Sequence, residues 1–317
     1  VAYGRSLMCD PDIALKAATG EPIRECLNCN KGCVDAIQNR RYISCVLNAE
    51  NGDEATVSIK PGEGKKRVAV VGGGIAGLEA ARVAAERGYD VTLFEASDHL
   101  GGQIILAAAP PRKSEIMRSV EYYEKVFPGL GVSVELNHAA SADELNAFDA
   151  AVVAVGAHDF LIPVPGADSD KVVSSWDVLS GKAEVSGRVA VIGGGLVGTE
   201  TAEFLLERGC KVSVVEMLDK IAAGESDTIL PLIMADFEEN GVEQHVNTRL
   251  SAVTDEGIEA VCDEKTVKIA SDYVVMAVGS KANPFDVSGV TVPVTFVGDC
   301  SGERTADIAS AIRTAYN

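Results

Sequence analysis

Four cysteines near the start of the chain, Cys26, Cys29, Cys33 and Cys45, follow the spacing C-x2-C-x3-C-x11-C. Thiolates are soft ligands. Three from one tight loop and a fourth from a returning segment suit a [4Fe–4S] cluster. Zinc is the main competitor, but structural zinc sites usually bring two closely spaced pairs, and here the second pair is eleven residues apart. The spacing favours iron–sulfur and leaves zinc open. A disulfide framework would suit an oxidising compartment, whereas no secretory signal is visible and a cytoplasmic setting is expected. Residues 26–50 show little hydrophobic periodicity, so they need a staple to hold a shape.

A second group of chemistry-bearing residues occurs twice. RVAVVGGGIAGLEAARVAAERGYDVTLFE (67–95) returns as RVAVIGGGLVGTETAEFLLERGCKVSVVE (188–216), with about half of the positions identical. Each copy runs from an apolar stretch into Gly-x-Gly-x-x-Gly, then a helix closed by glycine, then an apolar stretch ending in an acid. In the first copy Gly72 permits the tight turn, Gly74 clears room for a pyrophosphate, and Gly77 lets helix and strand pack closely. Ala76 falls in the first helical turn, whose free N–H groups and positive dipole end suit phosphate. Glu95 is placed to accept from a ribose hydroxyl. Gly193, Gly195, Gly198 and Glu216 repeat the arrangement. One such fingerprint is a weak signal, but two in full context imply two dinucleotides held at once.

The copies differ after the acid. LGGQ comes after Glu95, so Gly102 and Gln103 could approach the pyrophosphate or the far ribose, and nothing comparable is apparent after Glu216. A carboxylate such as Glu216 pairs with a 2′-hydroxyl and repels a 2′-phosphate, and the adjoining MLDK offers no arginine, so NADH is expected over NADPH. Asp299, in TFVGDC, suits either a ribityl hydroxyl or a turn-capping role.

These residues need a scaffold. A chain of 317 residues allows about two domains. Its net charge of −19 disfavours nucleic acid and anionic membrane as partners, and no apolar run approaches bilayer length. A small-molecule substrate is the expected partner, with self-association left open. Alternating strands and helices from residue 67 indicate an α/β fold with mostly parallel sheets. Before them, VAYG reads as a strand, followed by a helix capped by Asp10, with Pro11 first and Gly20 closing it. Further helices are expected at 75–87, 113–127, 196–208, 226–239 and 305–316, and a connecting strand within 51–66. The domains expected are 1–60, 61–163 with 282–317, and 164–281. Cys9, Cys210, Cys262 and Cys300 read as packing residues, and Trp176 as an anchor in an interdomain loop. His99, His138, His158 and His245 show no ligand spacing.

GGGIAGLEAA, LGGQ, AVGA (154–157), GGGLVGTE, AVGS (277–280) and FVGDC together resemble the two-dinucleotide, disulfide-reductase-like flavoproteins. That resemblance implies two Rossmann-like domains. FAD would lie at Gly72, Gly74, Ala76, Gly77, Glu95, Gly102, Gln103 and Asp299, and the nicotinamide cofactor at the second fingerprint. The family's redox cysteine pair is absent after LGGQ and from the second unit. YGRSLMCDPD, IRECLNCNKGC and CVLNAENGDE in turn resemble the iron–sulfur branch of the old yellow enzyme family, which includes 2,4-dienoyl-CoA reductase, 2-enoate reductase and trimethylamine dehydrogenase. This second resemblance implies that Tyr3-Gly4-Arg5 ends an FMN-binding (β/α)8 barrel, with Gly4 and Arg5 at the FMN phosphate and the substrate-acting residues on earlier strands. It implies an electron-input module running from NADH through FAD and a [4Fe–4S] cluster to FMN, for reduction of an activated C=C bond. Amine-dehydrogenase-type flow with ADP at the first site, and a non-catalytic zinc and nucleotide module, are the competing readings.

Overall fold

The computed structural model describes residues 3–302 and 307–317. The chain divides into two compact units, one comprising Val1–Ile105, Glu115–Ala157 and Ala282–Asn317, the other Leu106–Ser114 and His158–Lys281.

In chain order the elements are α1 (Arg5–Cys9), α2 (Ile13–Thr19), α3 (Val34–Gln38), β1 (Arg67–Val71), α4 (Ile75–Glu86), β2 (Asp90–Phe94) and α5 (Gln103–Ala108). Next come α6 (Arg118–Leu130), β3 (Ser133–Glu135), α7 (Ala142–Leu145), β4 (Ala150–Val153), β5 (Ala157–Asp159), β6 (Val172–Ser174) and α8 (Ser175–Leu179). The repeat supplies β7 (Arg188–Ile192), α9 (Leu196–Leu206) and β8 (Lys211–Val215), followed by α10 (Leu230–Glu239) and β9 (Glu243–His245). Then come the strands β10 (Thr248–Thr254), β11 (Gly257–Cys262), β12 (Lys265–Ala270), β13 (Tyr273–Met276) and β14 (Ser280–Ala282). The last elements are β15 (Val294–Phe296), a 3-10 turn at Gly298–Ser301, and α11 (Ile308–Tyr316).

The first unit holds a parallel sheet in the order β15-β4-β1-β2-β3. The second holds a parallel sheet in the order β6-β13-β7-β8-β9, with an antiparallel β10-β11-β12 sheet beside it in sequence. The central strands β1 and β7 are the apolar runs of the two fingerprints. Val68–Val71 and Val189–Ile192 are buried throughout, as a parallel sheet covered on both faces requires. Register repeats with sequence: Arg67 faces Asp90, and Arg188 faces Lys211.

Several expectations are corrected. Residues 3–9 are not strand; helix begins at Arg5 (residues 1–2 lie outside the description). The next helix starts at Ile13 with Asp12 as N-cap, because the Asp10 carboxylate is taken up by Lys16 Nζ (2.8 Å) and Arg24 N (2.9 Å). Gly20 does close it, at φ +78. Asn51–Thr56 wind into turns closed by Asp53 O, which accepts from Thr56 N and Val57 N, so no strand forms there. Trp176 lies within α8, which Ser174 caps by accepting from Asp177 N at 3.0 Å. The last helix starts at Ile308, with Asp307 accepting from Ser310 N; residues 305 and 306 of the expected span lie outside the described residues.

Two of the expected boundaries also move. Residues 1–60 belong with the first unit, because Cys9, Leu27, Leu47 and Ala49 pack with Val83 of α4 and with Ile312 and Tyr316 of α11. Residues 106–114, expected inside the first domain, belong to the second. There Leu106 and Ala109 meet its core, while Arg112 and Lys113 pair with Glu203 and Glu200 of α9, each at 2.7 Å.

A buried ionic group ties α4 to α6 in the first unit. Arg82 forks onto Glu79 through Nε and Nη2, both at 2.8 Å, and the Tyr123 hydroxyl donates to Glu79 Oε2 at 3.0 Å. Burial pushes the Glu79 carboxyl up, yet the Arg82 charge and its hydrogen bonds outweigh this and hold it below the usual carboxylate range. Removing one partner strands a charge in the interior. Arg82→Ala is therefore expected to cost about 3–5 kcal/mol, read as a clear fall in Tm. An unchanged Tm would show that the pair contributes no net stability.

Candidate functional site: two dinucleotide cradles and a cysteine cavity

Both fingerprints fold the same way, atom for atom. Gly72 N–H donates to Phe94 O and Gly193 N–H to Val215 O, each at 2.8 Å, locking the turn to the neighbouring strand. Gly72 sits at φ +103, with a Cβ that would lie 2.5 Å from Ala154 O; Gly193 sits at φ +97, with its Cβ 2.4 Å from Ala277 O. The third glycines are tighter still. A Cβ on Gly77 would lie 1.8 Å from Gly72 O, and one on Gly198 would lie 1.8 Å from Gly193 O.

The middle glycines differ in kind. Gly74 and Gly195 are the N-caps of α4 and α9, and a Cβ on either would meet nothing within 4 Å. Open space therefore lies over each helix N-terminus, where main-chain N–H groups lack intrahelical partners. That combination fits a pyrophosphate. Ala76 lies in this first turn of α4, buried.

Each acid reaches back to its own loop. Glu95 Oε2 accepts from Gly73 N at 2.6 Å while Oε1 accepts from Ser97 N and Oγ. Glu216 Oε2 accepts from Gly194 N at 2.6 Å, and Oε1 from Leu218 N at 2.8 Å. Both carboxylates are thus fixed beside the cradle, at the edge where an adenosine ribose would lie.

LGGQ packs onto the first cradle: Gly101 N–H donates to Gly73 O at 2.9 Å, and a Cβ on Gly102 would lie 3.2 Å from Gly74 Cα. The second copy has a counterpart that its sequence conceals. Ala222 N–H donates to Gly194 O at 2.6 Å, at a left-handed φ of +53, so the loop is retained without its glycines. What distinguishes the first copy is the next residue but one. Gln103 Nε2 donates to Asp299 Oδ2 at 2.9 Å, and Gly156, at φ +68, leaves room beside that amide. Gly298, also left-handed, would put a Cβ 2.8 Å from Ala76 Cβ, so glycine there lets Asp299 come close to the start of α4. Sequence reading missed Gly298, although the FVGDC motif contains it.

The four cysteines line one cavity, together with Arg5 and Met8 of α1. The fourth is brought back by a close crossing: Ser44 N–H donates to Gly32 O at 2.7 Å, and any Cβ on Gly32 would lie 2.5 Å from Ser44 O. Asn28 and Asn30 take left-handed φ values of 58° and 60°, a conformation asparagine tolerates better than most residues. Arg5 donates to Asn30 Oδ1, so this residue, expected at an FMN phosphate, also borders the cysteine loop; Gly4 caps α1. All eight cysteines are free thiols. Burial pushes the Cys29 and Cys33 thiols up, whereas the Cys9 thiol and the Leu47 and Asn48 N–H groups hold Cys45 down at about 6. Among the described residues no three His, Cys, Asp or Glu side chains are grouped to hold a single metal ion. A cubane cluster places each thiolate on a different iron, so it asks for four sulfurs spread around a cavity.

Among the described residues no helix is long and apolar enough to cross a membrane. Residues 50–118 and 66–298 match the family model described as pyridine nucleotide-disulphide oxidoreductase. The chain is 48% identical over its full length to bilirubin reductase from Mediterraneibacter gnavus, covering 50% of that protein. It is 38% identical to NADH oxidase from Thermoanaerobacter brockii, over 88% of this chain and 44% of that protein. The solved structure of 2-naphthoyl-CoA reductase with 2-naphthoyl-CoA superposes with a TM-score of 0.91 at 31% identity, over 98% of this chain and 49% of that one. The chain spans about half the length of these relatives. Repeated fingerprints on parallel sheets, matched along nearly the whole chain, identify it as a member of the pyridine nucleotide-disulphide oxidoreductase family, in the form found in the flavin and NADH oxidoreductase portion of old yellow enzyme-like enzymes.

Proposed function

We propose that this chain is the electron-input module of an NADH-dependent flavin oxidoreductase that reduces an activated C=C bond of the enoate or dienoyl type. When bound, FAD and NADH supply hydride transfer and a [4Fe–4S] cluster supplies one-electron transfer toward FMN carried elsewhere in a longer protein. The chain's own residues provide the holding. Gly74, Ala76 and the α4 N-terminus would receive the FAD pyrophosphate and Glu95 its adenosine ribose, with Gly102, Gln103 and Asp299 beyond them. Gly195, the α9 N-terminus and Glu216 would receive NADH. The Gln103–Asp299 contact favours FAD over ADP at the first cradle, because it builds polar groups beyond the pyrophosphate, where ADP has nothing to place.

The observation that carries the reading is the placement of Cys26, Cys29, Cys33 and Cys45 around one cavity, in the same unit as the first cradle. The spacing of those cysteines, the absence of the family's redox cysteine pair and the names of the relatives all support it. Anaerobically purified chain is expected to show a flavin band over a broad iron–sulfur absorption, both bleached by NADH. Serine at any one of the four positions is expected to remove the broad absorption and the iron while leaving FAD bound. Stoichiometric zinc in place of iron, or iron retained in all four variants, would overturn the assignment.

A further inference from the structure

Cys9 reads from sequence as a small packing residue, and its surroundings say more. It ends α1 with no exposed surface, and its thiol hydrogen-bonds to Cys45. It belongs to the apolar cluster that Cys26, Cys29 and Cys45 border, but it is not among the residues lining the cavity itself. Cys9 thus stands behind Cys45, on the side away from the cavity.

The sulfurs around the cavity are not equally supplied with donors. Cys26 Sγ accepts from Asn28 N at 3.4 Å, Cys29 from the N–H of Lys31, and Cys33 from that of Val34. Cys45 accepts from the N–H groups of both Leu47 and Asn48 and from the Cys9 thiol. Arg24, whose Nη1 donates to Leu47 O at 3.1 Å, adds a positive charge to the same corner.

We propose that Cys9 is a positioning residue whose thiol donates to the Cys45 thiolate and raises the reduction potential of the cluster held by the four cysteines. Reduction adds negative charge to a cluster and its ligand sulfurs. A donor aimed at one of those sulfurs stabilises the reduced form more than the oxidised form. Full burial strengthens the effect, because no water competes for the sulfur. The inference rests on the iron–sulfur reading and adds to it a residue that is not a ligand.

The test is a redox titration, followed by electron paramagnetic resonance, of the anaerobic chain reconstituted with ferrous iron and sulfide. Cys9→Ala is expected to keep its iron and its FAD and to shift the midpoint to more negative values. The expected size is a roughly tenfold change in the oxidised-to-reduced ratio at fixed potential, about 59 mV for one electron. Cys9→Ser keeps a donor at the same place and is expected to stay near the parent midpoint. An unmoved midpoint in Cys9→Ala, with the cluster intact, overturns the proposal. So does loss of iron from Cys9→Ala together with its retention in Cys45→Ala, which would make Cys9 the ligand. A parent chain that takes up no iron at all instead sinks the iron–sulfur reading, and this inference with it.

Discussion

Gly198→Ala is expected to destabilise the second unit severely, whereas Gly195→Ala, three residues earlier, is expected to leave the fold intact and weaken only nucleotide binding. Both substitutions add one methyl group to the same fingerprint. At Gly198 that methyl would stand 1.8 Å from Gly193 O, a backbone atom that no rotamer change can move aside. Overpacking typically costs about 1–3 kcal/mol, and a collision between helix and turn belongs at the top of that range. The corresponding fall in Tm is about 10 °C for a unit of this size. At Gly195 the methyl meets nothing within 4 Å, and φ is −68°, a value alanine adopts freely. The space it fills is the space a pyrophosphate needs. Losing one charge-assisted bond there costs about 1.5–3 kcal/mol, or roughly 10- to 100-fold in affinity for NADH. The first copy is expected to repeat the contrast, with Gly77→Ala lowering Tm and Gly74→Ala lowering FAD content, since the Gly77 and Gly72 O geometry is the same. Circular dichroism melts and calorimetric titration read the two effects separately. A parent-like Tm in Gly198→Ala would show that the helix can slide off its strand, and close packing would no longer account for that glycine.

That contrast also marks which parts of the site were legible in the sequence. The fingerprints were legible because a turn, a helix start and a terminal acid are local features, and the local rules for glycine apply at each of them. The return of β15 beside β4 was readable as well, since the tail is too short to fold alone. Contacts across long sequence separations were not. Nothing in CNKGC announces that Gly32 must pass under Ser44 to bring Cys45 home, and nothing in SLMC places the Cys9 thiol on Cys45. The arm at 106–114 follows LGGQ without a break, yet Arg112 and Lys113 find their acids on α9 about ninety positions later. Ala222 shows the reverse failure. Reading glycine as the mark of the loop made the second copy look bare, although its backbone takes the left-handed turn and makes the same bond.

The charge of Glu216 carries the second large prediction: turnover of NADH is expected to exceed that of NADPH by about 100-fold in kcat/KM. The carboxylate is 8% exposed, and both of its oxygens are held, one by Gly194 N–H and the other by Leu218 N–H. It cannot swing away from an incoming 2′-phosphate. Like charges brought together at a binding site cost several kcal/mol, which sets the size of the effect. No cation stands ready to offset the repulsion within the adjoining MLDK except Lys220, because Met217 and Leu218 point apolar side chains to solvent. Glu216→Gln keeps an acceptor oxygen but removes the charge, so the NADH to NADPH ratio is expected to fall about tenfold, chiefly through better use of NADPH. Adding Met217→Arg to that variant supplies a guanidinium beside the 2′ position and is expected to carry the preference past unity. Steady-state rates with an artificial electron acceptor measure each ratio on this chain alone. If the parent chain uses NADPH as well as NADH, Glu216 does not select the cofactor, and its two backbone bonds serve only to close the turn.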